Sequence, residues 1–125
     1  MKMWLFIAGL NGALAVLAGA FAVHALAPRL DPVDAGAFST AAHYHLVHSL
    51  AIAVAALAGR GAAKPRARAA ALFFLIGILL FCGSLYLFVL TAIRAFAYIT
   101  PLGGFAFVAA WLLLSLAACK IQETE

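Results

Sequence analysis

Four stretches of this 125-residue chain are long and apolar enough to cross a lipid bilayer, and that feature decides most of what the chain can become. A spanning helix needs about 20 predominantly apolar residues. Such runs extend from about 3 to 26, 38 to 58, 69 to 91 and 101 to 119. The segments between them are short: "APRLDPVDAGA", "GRGAAKPRAR" and "AIRAFAYIT". Little chain is left for a soluble domain. Hydrophobic residues make up 68% of the sequence and charged ones 10%, against about 45–50% and about 25% in soluble domains. A small water-soluble fold has no room to bury that excess. The sequence therefore predicts an all-α fold, a four-helix transmembrane bundle, as a single integral membrane domain over residues 1–125.

The first stretch has a rival reading as a secretory signal peptide, with Lys2, an apolar run and "AVHA" as a small-residue cleavage site. Its run is longer than the 7–15 residues of a signal h-region, so we expect it to be kept as a span. Charge gives the orientation. Lys2, Arg60, Lys64, Arg66, Arg68 and Lys120 fall on one side and only Arg29 and Arg94 on the other. Cytoplasmic loops carry the positive excess. Both termini are expected in the cytoplasm, with the Asp31/Asp34 loop outside. The basic second loop also fits a lipid-binding polybasic patch, although orientation is the simpler role. Nothing in this charge distribution asks for nucleic acid. Cys82 and Cys119 lie in separate apolar runs and read as buried thiols rather than a disulfide framework.

"HYHLVHSL", residues 43 to 50, sets three histidines and a tyrosine into this apolar background. After His48 the strictly apolar part of the second span, Ser49 to Ala58, covers only about 15 Å, half of the ~30 Å hydrocarbon core. The histidine block must therefore lie at membrane depth, where a polar side chain faces protein or a cavity. At 100° per residue Tyr44, His45 and His48 form the inward stripe and His43 points elsewhere. Depth adds His24 near the outer end of the first span, and Ser84 and Tyr86 of the third, level with Tyr44 and His45. Asn11 stands apart in an otherwise aliphatic inner half. His48 is expected to hydrogen-bond another helix, with Ser84, Tyr86 and His24 as candidates. Ala8, Gly12, Ala15 and Gly19 make a small-residue stripe for close helix packing. Trp4, beside Lys2, reads as an interfacial anchor, and Trp111 as anchor or core.

Three chemistries compete for the cluster. Zinc wants three or four ligands, commonly including carboxylate or thiolate, and no Asp or Glu lies in any span. Haem needs imidazoles facing across a wide cavity, which four short helices leave little room for. A proton or ion path is commonly built with intramembrane carboxylates as well as histidines. The remaining reading is structural: His, Ser and Thr bonds between helices, each about 0.6–2 kcal/mol in lipid. No cofactor or metal is expected.

The motifs together resemble one family. They are "GAFAVHAL" at 19–26, "YHLVHSLAI" at 44–52, "LFCGSLYLFVL" at 80–90 and "ITPLGGFAFVAAW" at 99–111. In that order, one per span, they look like the segments of the domain-of-unknown-function family numbered 423, whose animal relatives are called transmembrane protein 256. The resemblance covers essentially the whole chain and implies a small four-span membrane protein. It implies no activity. Carried across, its pattern falls on His24, Tyr44, His48, Gly83, Ser84, Tyr86, Pro101, Gly103 and Gly104. His43 and His45 match no family position, and Val23 and Cys82 depart from the small residue and the serine usual there. Pro101 suits a helix start, where its missing N–H is not needed, and Gly103 and Gly104 would let a neighbouring backbone close in.

The expected function is that of a multi-pass protein of the bacterial cytoplasmic (inner) membrane without enzymatic activity. It would act as an accessory, assembly or scaffold protein with a polar His/Tyr/Ser cluster in the outer half of its bundle. The expected partners are membrane lipid and a larger membrane complex or further copies of the chain. The alternative class is a small-solute or proton pathway. A haem- or metal-binding redox protein stands behind both.

Overall fold

The computed structural model of the chain describes residues 1–121; residues 122–125, the end of the expected 1–125 domain, lie outside it. Four helices are long and apolar enough to cross a membrane: α1 Lys2–Leu26, α2 Pro32–Ala58, α3 Gly61–Thr91 and α4 Arg94–Ala118. Among the described residues there is no strand. The all-α four-helix transmembrane bundle is the observed architecture.

α2, α3 and α4 each begin six to eight residues before their apolar stretches. At 1.5 Å per residue, the 31 residues of α3 reach about 46 Å, well past a ~30 Å core. Its first turns carry Lys64, Arg66 and Arg68, charges that hydrocarbon disfavours. α2 begins at Pro32 rather than Phe38 because Asp31 caps it, accepting from the N–H of Val33 (2.9 Å) and Asp34 (3.1 Å). Those donors, Asp34's foremost, hold the Asp31 carboxyl below its ordinary carboxylate value.

Sequential helices are neighbours, so the short connections give antiparallel pairs. α2 is the most enclosed helix and α1, which packs chiefly on α2, the least. The interior is built from small side chains: Ala41, Ala63, Ala67, Ala70, Ala71, Ala110 and Ala117 are fully buried, with Phe74, Ile52 and Cys82 as the bulkiest enclosed groups. Large aliphatics such as Leu10, Leu17, Leu50, Leu79 and Leu112 face outward. This inversion suits lipid, where close van der Waals packing rather than escape from water joins helices.

Two glycines let α4 press against α3. A Cβ on Gly103 would collide with the backbone of Phe81, and one on Gly77 with the ring of Phe107. Phe81 lies in a π-helical stretch of α3, Ile78–Cys82. Gly104 meets open space, and so do Gly12 and Gly19 of the small-residue stripe. The alanines of that stripe do the packing: Ala8 and Ala15 are buried, and Ala22 continues the same face.

Candidate polar cluster in the bundle interior

The inward face of α2 follows Ala41, His45, His48, Ile52 and Ala55, a four-three-four-three spacing, and all five are buried. The two imidazoles on it reach different helices one turn apart.

His45, 6% exposed, joins three helices. Asn11 of α1 donates through Nδ2 to the carbonyl of Ile7, 2.9 Å away, which fixes its amide so that Oδ1 is the acceptor. His45 Nε2, 3.1 Å from Asn11 Oδ1, must then be the donor. Nδ1 is left as the acceptor of the Tyr86 O–H from α3, also at 3.1 Å. The network therefore sets a neutral imidazole with its proton on Nε2. Donation runs one way, from Tyr86 to His45 to Asn11, and ends on a backbone carbonyl of α1. Ser49 adds a bond of its own to the His45 carbonyl at 2.6 Å, and the Tyr86 ring packs on Phe38 at 4.8 Å.

His48, 5% exposed, carries the opposite tautomer. Its Nδ1 is 2.7 Å from the carbonyl of Tyr44, a group that only accepts, so Nδ1 holds the proton. Its Nε2 accepts from the indole N–H of Trp111 on α4 at 3.3 Å. The ring lies flat on Phe107, centroids 3.6 Å apart and planes 10° apart. Tyr44 extends this stack, 5.6 Å from His48 and 4.8 Å from Phe81. Aromatic pairs of this kind add about 0.5–1.5 kcal/mol beyond burial.

Ser84 forms a third, separate link. Its hydroxyl donates to the Phe81 carbonyl at 3.0 Å, so the 2.6 Å contact with Thr100 is one in which Thr100 Oγ1 donates. Thr100 opens the α-helical part of α4, with Pro101 in its first turn. The link holds α3 to α4 beside Gly103.

The structure thus brings Tyr86 to His45 and leaves Tyr44 at the edge, 40% exposed. The partner of His48 is Trp111, not Ser84, Tyr86 or His24. Depth explains the difference, since Tyr86 is level with His45, and His48 one turn further in meets α4 instead. His24 is outside the group and exposed. α1 rests on α2 through Ala15 and Ala22, and His24 lies nine residues from Ala15, about 180° round the helix. His43 is also exposed and touches only the edge of Tyr44. Sequence reasoning left out Asn11, Thr100 and Trp111 as partners. Thr100 stood in the Thr-Pro motif, and Asn11 was the one amide in a span.

Among the described residues no three His, Cys, Asp or Glu side chains gather to hold a metal ion. The four nitrogens of His45 and His48 all have partners. Binding iron or zinc there would require breaking one of these bonds in an apolar interior.

Residues 18–104 match the profile of the family described as "Protein of unknown function (DUF423)". The chain is 36% identical over 121 residues to the UPF0382 membrane protein YwdK of Bacillus subtilis, covering 96% of this chain and 98% of that one. It is 32% identical over 122 residues to the UPF0382 inner membrane protein YgdD of Escherichia coli K12, covering 98% and 93%. A third relative, the UPF0382 membrane protein SSP2132 of Staphylococcus saprophyticus, is 35% identical, covering 97% and 100%. No solved structure matches the chain.

Proposed function

The chain belongs to the DUF423 family, and from that premise we propose that it is a non-enzymatic accessory, assembly or scaffold protein whose polar cluster is interhelical glue. The observation that carries this reading is the engagement of every ring nitrogen of His45 and His48 in a fixed tautomer. A catalytic or ligand-binding imidazole needs a free nitrogen at some point in its cycle; these two are used up in holding α2 to α1, α3 and α4. Donation from Tyr86 also ends on the Ile7 carbonyl rather than leading on to another titratable group, which fits a strut better than a relay.

On this reading the protein sits in the cytoplasmic membrane with both termini inside, as the basic second loop favours and as the name of its E. coli relative suggests for the membrane. Its partners are lipid and either a larger membrane complex or further copies of itself, and not nucleic acid. Cross-linking in native membranes followed by purification in mild detergent tests the proposal. A reproducible membrane-protein partner or a defined homo-oligomer is expected. Proton or solute flux in proteoliposomes that disappears in a folded His45→Leu variant would replace it with the pathway reading. A Soret band, or stoichiometric iron or zinc, would replace it with the redox one.

A further inference from the structure

At the end of the bundle where α1 and α3 begin, a recess lies between the first turn of α1, the last turns of α2 and the first turns of α3. Its polar side chains are Trp4, Lys64 and Arg68, and all three can only donate. The rest of its wall is largely alanine, including Ala55, Ala67 and Ala71. The indole N–H of Trp4 is buried and has no acceptor among the described residues. The first turns of α1 and α3 contain no acidic residue to offset their positive ends. The described acids, Asp31 and Asp34, belong to the opposite end, at the start of α2.

We propose that this recess binds the phosphate of an anionic phospholipid. The enclosed space, about 20 Å³, holds one oxygen atom rather than a headgroup. One phosphate oxygen therefore enters it while the headgroup lies across Lys64 and Arg68. The alanine wall and the position of Trp4 at the edge of the first span favour a lipid over a soluble anion, since the acyl chains have an apolar surface to follow. The site differs from a diffuse basic patch in being built: Arg66, on the same turn of α3, does not line it.

Native mass spectrometry of the purified protein with phosphatidylglycerol or phosphatidylcholine of matched acyl chains tests the assignment. The wild type is expected to retain phosphatidylglycerol at least about tenfold more strongly. Lys64→Gln and Arg68→Gln should each lose several-fold and together about 30-fold, whereas Arg66→Gln should change retention less than about twofold. Melting in neutral detergent identifies any variant that is simply unfolded, and each single variant reports independently of the double one. Equal losses from Arg66→Gln and Arg68→Gln would mean bulk surface charge and overturn the site. Displacement of the lipid by excess inorganic phosphate would overturn its assignment to lipid.

Discussion

The His45 junction makes a quantitative prediction. Two bonds at 3.1 Å tie α2 to α1 and to α3. Interhelical hydrogen bonds in membranes average about 0.6 kcal/mol with a ceiling near 1.7, and stranding a buried polar partner costs about 1–3 kcal/mol. Tyr86→Phe removes one donor while keeping the ring on Phe38, and should cost about 1 kcal/mol. His45→Leu removes both bonds and strands Asn11 Oδ1 and the Tyr86 hydroxyl, for about 2–3 kcal/mol. In the double variant the bond between the two residues is counted once, so the total should fall short of the sum by about 0.6–1.7 kcal/mol. Reversible unfolding in mixed micelles with rising dodecyl sulfate, followed by circular dichroism, measures all three. Additivity within about 0.5 kcal/mol would refute the bond as a stabilising contact.

Three further outcomes follow. Nitrogen-15 NMR should find His45 neutral with its proton on Nε2 and His48 neutral with its proton on Nδ1; a shared tautomer would break the donor assignments. Gly103→Ala should cost about 1–3 kcal/mol, because its methyl meets the Phe81 backbone. Gly104→Ala, in open space, should be neutral or stabilising by up to about 1 kcal/mol, and both are read by the same dodecyl sulfate unfolding. A single cysteine placed in the loop before α3, in a background lacking Cys119, should be shielded from impermeant thiol reagents in intact cells; ready labelling would invert the topology.

The helices and their order were legible because apolar run length answers directly to bilayer thickness. The α2 face was legible too, since Ala41, His45, His48, Ile52 and Ala55 keep helical spacing. Partners were harder. Ranking residues by depth alone drew His24 into the cluster, though the Ala8/Ala15 stripe already placed it on the far side of α1. His45, on the inward stripe but at no family position, is the residue that joins three helices, since physical burial does not follow a motif. Trp111 was invisible as a donor because nothing in a uniformly apolar α4 marks which face meets α2. The glycine stripe misled for a related reason: Gly12 and Gly19 look like contact points, but Ala8, Ala15 and Ala22 on the same face make the contact.

The polar links also carry an order in time. Asn11 lies on the first helix to be synthesised, His45 and His48 on the second, Tyr86 and Ser84 on the third, Thr100 and Trp111 on the fourth. Each link joins a later helix to one already made. α2 is the least apolar of the four, and a lone imidazole is poorly received in hydrocarbon; chain order gives His45 a partner, Asn11, on the helix made before its own. α3 then brings Tyr86 to the other nitrogen of the same ring, and α4 closes the remaining valences of His48 and Ser84. The links that pin the finished bundle are thus ordered along the chain, each later helix carrying a partner for a polar group on a helix made before it.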